Sequence, residues 1–199
     1  MEMARQEVKV GIFGGCFDPV HIGHLIIAEF ACLQFNLEKV IFVPAKIPPH
    51  KKKVSATPQQ RLEMLKLAIG GNKNFEISDI EVKREGPSYT YDTVISFKST
   101  NPGAQFYFLI GEDAFEELHT WYKIEKLVEE IIFLVAPRFE REIKIPDWNF
   151  KVKYEKIDSP RIEISSSFLR NLISSGIYPK YLIPEKVLDY IKKEKIYGD

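Results

Sequence analysis

At 199 residues with 45% hydrophobic content, the chain is long enough to bury one sizeable core and sits at the upper end of single-domain length. Its 28 basic and 28 acidic side chains cancel, with a pI near 6.9, so no global field gathers nucleic acid or anionic lipid and any anion site must be local. Cys16 and Cys32 are too few for a disulfide framework, the opening run lacks the apolar core of a secretory signal, and no apolar run approaches the roughly 18 residues of a membrane span, so a soluble protein of the reducing cytoplasm is expected.

Val8 to Phe13 is an apolar run ending at Gly14-Gly15, the pattern of a buried parallel strand entering a tight turn, and Leu25 to Phe35 then carries helical spacing. Val40 to Val43 reads as a second strand stopping at Pro44, and Pro58 to Ile69 as a helix closed by Gly70-Gly71. A third, weaker strand is predicted over Phe75 to Ile80, a helix over Thr90 to Ser99, and a fourth strand over Gln105 to Ile110. A helix over Ile124 to Glu130 and a fifth strand over Ile131 to Val135 follow. Arg138 to Trp148 is charged and proline-punctuated and reads as an exposed connection, ahead of a sixth candidate strand at Val152 to Ile157. Ser165 to Lys195 gives two or three short helices broken at Gly176, Pro179 and Pro184, with Val187, Leu188 and Ile191 on one apolar face. Strand and helix alternate throughout. The expected fold is therefore α/β, a Rossmann-like doubly wound parallel sheet of five to six strands with a short C-terminal helical segment over about 160–199, all in one domain spanning 1–199.

In open parallel sheets ligands bind beyond the carboxyl ends of the strands, and Gly14 to His24 occupies that place between the first strand and first helix. Glycines there let a phosphate approach the backbone, and the helix start presents free N–H groups to an anion. The run is neither the dinucleotide fingerprint, which needs a third glycine, nor a P-loop, which needs Gly-Lys-Ser/Thr. His21 and His24 lie three apart around the helix start, so both imidazoles can donate to one ligand's phosphate oxygens. An isolated pair of this kind is more often structural, but the flanking glycines favour the phosphate reading. A zinc site from Cys16, His21, His24 and His50 lacks the paired ligand spacing of structural zinc, and no protein-bound metal is expected. Ser165, Ser166 and Ser167 are good helix caps, and that helix start with Arg170 in its first turn also forms a second anion clamp.

The run Gly14-Gly15-Cys16-Phe17-Asp18-Pro19-Val20-His21-Ile22-Gly23-His24 resembles the first signature of the nucleotidyltransferase superfamily with a His-x-x-His core, and more narrowly that of the bacterial nicotinate-nucleotide adenylyltransferases. Ile164 to Arg170 is similar to the superfamily's second motif, and Pro48-Pro49-His50-Lys51 to a segment that follows the family's second strand. Cys16 stands where the family usually carries Thr or Ser, a poorer hydrogen-bond partner. The resemblance implies His21, His24 and Arg170 as catalytic, and Gly14, Gly15, Cys16, Phe17, Lys51, Gly111, Asp113, Ile164, Ser165 and Ser166, with Arg170 again, around ATP. SYTYDT, IG-x-D and LHTWY look like the segments that surround the pyridine ring in that family, which implies Thr90, Trp121 and Tyr122 at the acceptor, Asp113 near a ribose hydroxyl, and Arg138 at a phosphate.

Adenylyl transfer to a phosphate monoester needs no strong base and no covalent nucleophile, since the attacking phosphate is largely ionised near neutral pH (second pKa about 6). The implied partners are ATP, brought with Mg²⁺, and nicotinate mononucleotide, with neither nucleic acid nor membrane; a homo-oligomer is left open. Pantetheine-phosphate adenylyltransferases are the nearest alternative, though their first motif usually has Thr at the position of His21 and they lack the Trp-containing insert. Cytidylyltransferases of the superfamily would not need SYTYDT or LHTWY, a non-catalytic nucleotide sensor could keep the loop and bind without turnover, and a nucleic-acid binder could use Lys51 to Lys53 but would show a steep salt dependence that a neutral chain disfavours.

Overall fold

A computed structural model describes residues 7–49, 54–138 and 146–198. Strands β1 (Lys9–Gly15), β2 (Lys39–Pro44), β3 (Phe75–Ile77), β4 (Gln105–Gly111), β5 (Ile132–Ala136) and β6 (Tyr154–Lys156) form one sheet in the order β3-β2-β1-β4-β5-β6. Every pairing is parallel, with Phe13 of β1 between Phe42 of β2 and Leu109 of β4. The expected Rossmann-like sheet is present with six strands.

Both faces are covered, as an all-parallel sheet with no polar face requires. On one side α1 (Ile22–Phe35), α2 (Pro58–Ile69), α7 (Ser166–Ser174) and α8 (Glu185–Lys193) bury Ala28, Leu65, Leu169 and Leu188 against Phe13, Phe42 and Leu109. On the other, α4 (Thr90–Thr100), α5 (Glu112–Glu116) and α6 (Ile124–Glu130) bury Val94, Phe115 and Leu127 against Ile12, Phe108 and Phe133. The alternation of side chains along β1 sends Phe13 to the first layer and Ile12 to the second. Val187, Leu188 and Ile191 of α8 are all buried as their spacing predicts, each worth about 1.5–3 kcal/mol of apolar transfer. Among the described residues no helix is long and apolar enough to cross a membrane.

Several boundaries differ from expectation for identifiable reasons. β3 ends at Ile77, because Ser78 makes a last amide bond to the Phe42 carbonyl at 3.0 Å before Asp79 opens the short helix α3 (Ile80–Lys83). The first helix begins at Ile22, three residues before its apolar periodicity becomes visible. The sixth strand shrinks to Tyr154–Lys156, an exposed edge strand whose Tyr154 ring still meets the buried Phe115 at 5.1 Å.

Candidate active site

The strand order reverses between β1 and β4, and the crevice this leaves receives the loop Cys16 to His21. That loop is anchored from several directions. Phe17 takes a left-handed conformation at φ 49° and sinks its ring, 2% exposed, against Phe13, Phe42 and the His24 imidazole. The Phe17 side chain is thus core, which leaves its main chain for any nucleotide contact. Arg61 of α2, wholly buried, donates to the Cys16 carbonyl at 2.8 Å and to the Ala56 carbonyl at 3.2 Å. The Asp18 carboxylate, also buried, accepts from the Ser55 and Ala56 amides at 2.8 and 3.0 Å and from the Tyr197 hydroxyl at 2.7 Å.

His21 is the N-cap residue of α1 and His24 lies one turn on, their ring centroids 3.7 Å apart. Burial, with a contribution from the Arg138 guanidinium, pushes the His21 imidazole down to about 4, so it is neutral at pH 7. The His21 main-chain N–H donates to Nδ1 of His24 at 3.2 Å. Nδ1 is thereby the acceptor, and a neutral His24 carries its proton on Nε2, where it serves as a donor. Gly23 is needed for close approach, since a Cβ there would lie 3.1 Å from Nδ1 of His21 and displace the ring.

The serine-rich segment reaches the same loop. Ser165 caps α7 by accepting from the Phe168 amide at 3.2 Å, and the Ser166 hydroxyl donates to the Pro19 carbonyl at 3.0 Å. Arg170 donates to the Asp18 carbonyl at 2.7 Å and to the Ser167 hydroxyl at 3.2 Å, while Ile164 packs at the edge of the core. Ser165 thus caps the helix as expected, while Ser166 and Arg170 meet the loop at the Pro19 and Asp18 carbonyls.

Beside the loop lies a cavity of about 240 Å³ whose wall includes Gly14, Gly15, Cys16, Thr90, Trp121 and Tyr122. Trp121 meets Phe108 edge-on at 5.7 Å, and Tyr122 stacks on Tyr89 at 4.2 Å and 24°. The buried Glu81 also lines it, a residue the sequence reading passes over. Burial pushes its carboxyl upward, opposed by hydrogen bonds from Thr93, at 2.6 Å, and Ser88. The Ser88 oxygen in turn accepts from the Lys46 amide at 2.9 Å, tying the segment after β2 to the start of α4. The one sequence signal for Glu81 is an acid flanked by Ile80 and Val82.

Gly111, Asp113 and Arg138 gather at the ends of β4 and β5, outside that cavity wall. Gly111 precedes α5, Asp113 forms an ion pair with Arg138, and the Arg138 amide donates to the buried Glu112 carboxylate at 2.9 Å. A ribose hydroxyl at Asp113 would share the carboxylate with that guanidinium. Lys51, with His50, Lys52 and Lys53, lies outside the described residues.

The Cytidylyltransferase-like family model matches residues 12–172, which takes in both motifs and the cavity. A Listeria welshimeri protein named "Probable nicotinate-nucleotide adenylyltransferase" is 46% identical over 96% of this chain and 97% of its own length. A Bacillus licheniformis protein of the same name is 43% identical over 95% of this chain and 98% of its own. Among solved structures, a Plasmodium falciparum nicotinic acid mononucleotide adenylyltransferase complexed with NaAD superposes with a TM-score of 0.80 at 25% identity, covering 96% of this chain and 97% of that one. The family match, the shared fold and identity along almost the whole length place the chain in the Cytidylyltransferase-like family and, within it, among the nicotinate-nucleotide adenylyltransferases.

Proposed function

We propose that this chain, acting in the cytoplasm as a single nucleotidyltransferase domain over 1–199, transfers the adenylyl group of ATP to nicotinate mononucleotide. The products are nicotinate adenine dinucleotide and pyrophosphate, a step in NAD biosynthesis. The observation that carries this reading is that Gly14, Gly15 and Cys16 of the phosphate loop share one cavity with Thr90, Trp121 and Tyr122. A phosphate at the loop and an aromatic ring against Trp121 can thus belong to one small molecule. The names of the relatives, and the NaAD held by the Plasmodium structure, support the same substrates.

An ionised oxygen of the acceptor phosphate attacks the α-phosphorus in line. As that P–O bond forms, the bond to the oxygen bridging the α- and β-phosphorus breaks, and pyrophosphate leaves with the electron pair. The His24 Nε2–H and the neutral His21 donate to the phosphate oxygens, stabilising charge without moving protons. Arg170 and the start of α7, with Ile164, Ser165 and Ser166, face the far phosphates, and Lys51 adds a further cation. The main chain of Gly14 to Phe17 lies along the triphosphate, Gly111 and Asp113 take the adenosine side, and Arg138 neutralises a phosphate. Thr90 and Tyr122 receive the pyridine carboxylate beside Trp121.

Mg²⁺ is expected to arrive with ATP. Among the described residues no group of three or more His, Cys, Asp or Glu side chains is arranged to hold an ion. Its ligands would be the triphosphate oxygens.

Pyrophosphate release from ATP, measured against nicotinate mononucleotide, nicotinamide mononucleotide and phosphopantetheine, tests the reading. Turnover is expected with nicotinate mononucleotide foremost. Turnover with phosphopantetheine alone would replace it with the pantetheine-phosphate reaction, and ATP binding without turnover would make the chain a sensor.

A further inference from the structure

Asp18 belongs to the loop, yet its carboxylate does not face the nucleotide. It is 3% exposed and joins parts of the chain that are far apart in sequence: the Ser55 and Ala56 amides ahead of α2, Arg170 of α7, and Tyr197 near the carboxyl terminus. A buried carboxylate needs several donors, and here the three hydrogen bonds run from 2.7 to 3.0 Å. The guanidinium of Arg170 stays 3.7 Å from the nearer carboxylate oxygen, well outside the 2.7–2.9 Å of a charge-assisted bond. It bonds the Asp18 carbonyl instead and borders a cavity of about 320 Å³ lined by Ser55, Asn171, Ser174 and Tyr197.

The chain end is wound tightly to place this phenol. Lys195 and Tyr197 both hold left-handed backbones, at φ 50° and 69°, conformations that cost a residue with a side chain about 1–2 kcal/mol. Ile196 between them is buried, and its amide bonds the Ile191 carbonyl at 3.0 Å. Burial and the Asp18 charge push the Tyr197 hydroxyl far upward, so it remains a donor throughout the working pH range.

Resting on the adenylyltransferase reading above, we propose that Tyr197 is a positioning residue for ATP: by satisfying Asp18 it keeps the Arg170 guanidinium off that carboxylate and available to the far phosphates. Without the phenol, Asp18 is short of a donor and the nearest mobile cation is Arg170. The tail then governs one substrate and not the other, because Thr90, Trp121 and Tyr122 line a different cavity.

The test first confirms NaAD formation by the unaltered enzyme; its absence sinks the adenylyltransferase reading itself. Tyr197→Phe should then raise KM for ATP about tenfold to a hundredfold, the range of one lost hydrogen bond to a charged group, and leave KM for nicotinate mononucleotide within twofold. In an Arg170→Ala background the same change should add almost nothing, since the effect passes through Arg170. Parallel rises in both KM values, or full additivity with Arg170→Ala, would reduce Tyr197 to a structural role and overturn the proposal. Hydrogen exchange on the unaltered protein gives a readout independent of folding of the variant. ATP should slow exchange over 195–198 while nicotinate mononucleotide alone should not, and equal effects would overturn the proposal as well.

Discussion

The buried imidazole of His21 makes the fold itself pH-dependent. His21 is 6% exposed and is held down to about 4, against about 6.5 in an unfolded chain, so below neutrality the unfolded state binds the extra proton. The folded form is unaffected above pH 6.5 and loses stability as pH falls from there toward 4. At 1.36 kcal/mol per pKa unit the loss reaches about 2 kcal/mol at pH 5 and about 3 kcal/mol below pH 4. Asparagine is a good N-cap residue that binds no proton, so His21→Asn removes this loss while keeping the helix start. Urea unfolding of both proteins at half-unit steps from pH 7.5 to 4.5 gives two curves, and their difference isolates His21 from every other titrating group. The unaltered protein should lose stability faster by the stated amounts over that window. Parallel curves would mean that His21 titrates near its ordinary value and is solvated, which would undo the argument that burial holds its imidazole down.

Removing the Nε2 donor in His24→Ala should lower kcat on the order of 10²-fold while ATP affinity falls only a fewfold, and equal losses measured by steady-state kinetics and calorimetry would assign His24 to ground-state binding. Trp121→Ala should raise KM for nicotinate mononucleotide roughly tenfold and spare that for ATP, and an unchanged value would remove Trp121 from the ring site. Arg61→Met leaves the Cys16 and Ala56 carbonyls without their buried donor and should cost about 2–4 kcal/mol in denaturant unfolding, so a loss under 1 kcal/mol would show that water replaces the guanidinium.

Much of the framework was legible because its signals are local. Pro58 to Ile69 matches its predicted bounds at both ends, since Thr57 caps it with an oxygen accepting from the Gln60 amide and Gly70 closes it. The glycine loop, the two histidines and the serine-rich helix start all announced themselves through residue type and spacing. The short helices Ile80–Lys83 and Glu112–Glu116 did not, because four or five residues carry too little periodicity to stand out from a strand end or a loop. Glu81 and Arg61 were missed for a different reason. Arg61 reads as an ordinary surface charge on its helix and Glu81 as one just past a strand end, and only packing shows them buried under the site.

The amino-acid sequence by itself determined the alternation of strands and helices, the two helix starts proposed to bind anions and the aromatic segments, because each rests on propensities and spacings within a dozen residues. Tertiary structure alone decided which of these meet. It carried Arg170 to the Asp18 carbonyl across 152 residues and Tyr197 to its carboxylate across 179. It also withdrew Phe17 into the core and paired Asp113 with Arg138. Contacts at such separations depend on how a six-stranded sheet stacks its helices and on how buried charges find partners, and no local pattern encodes either.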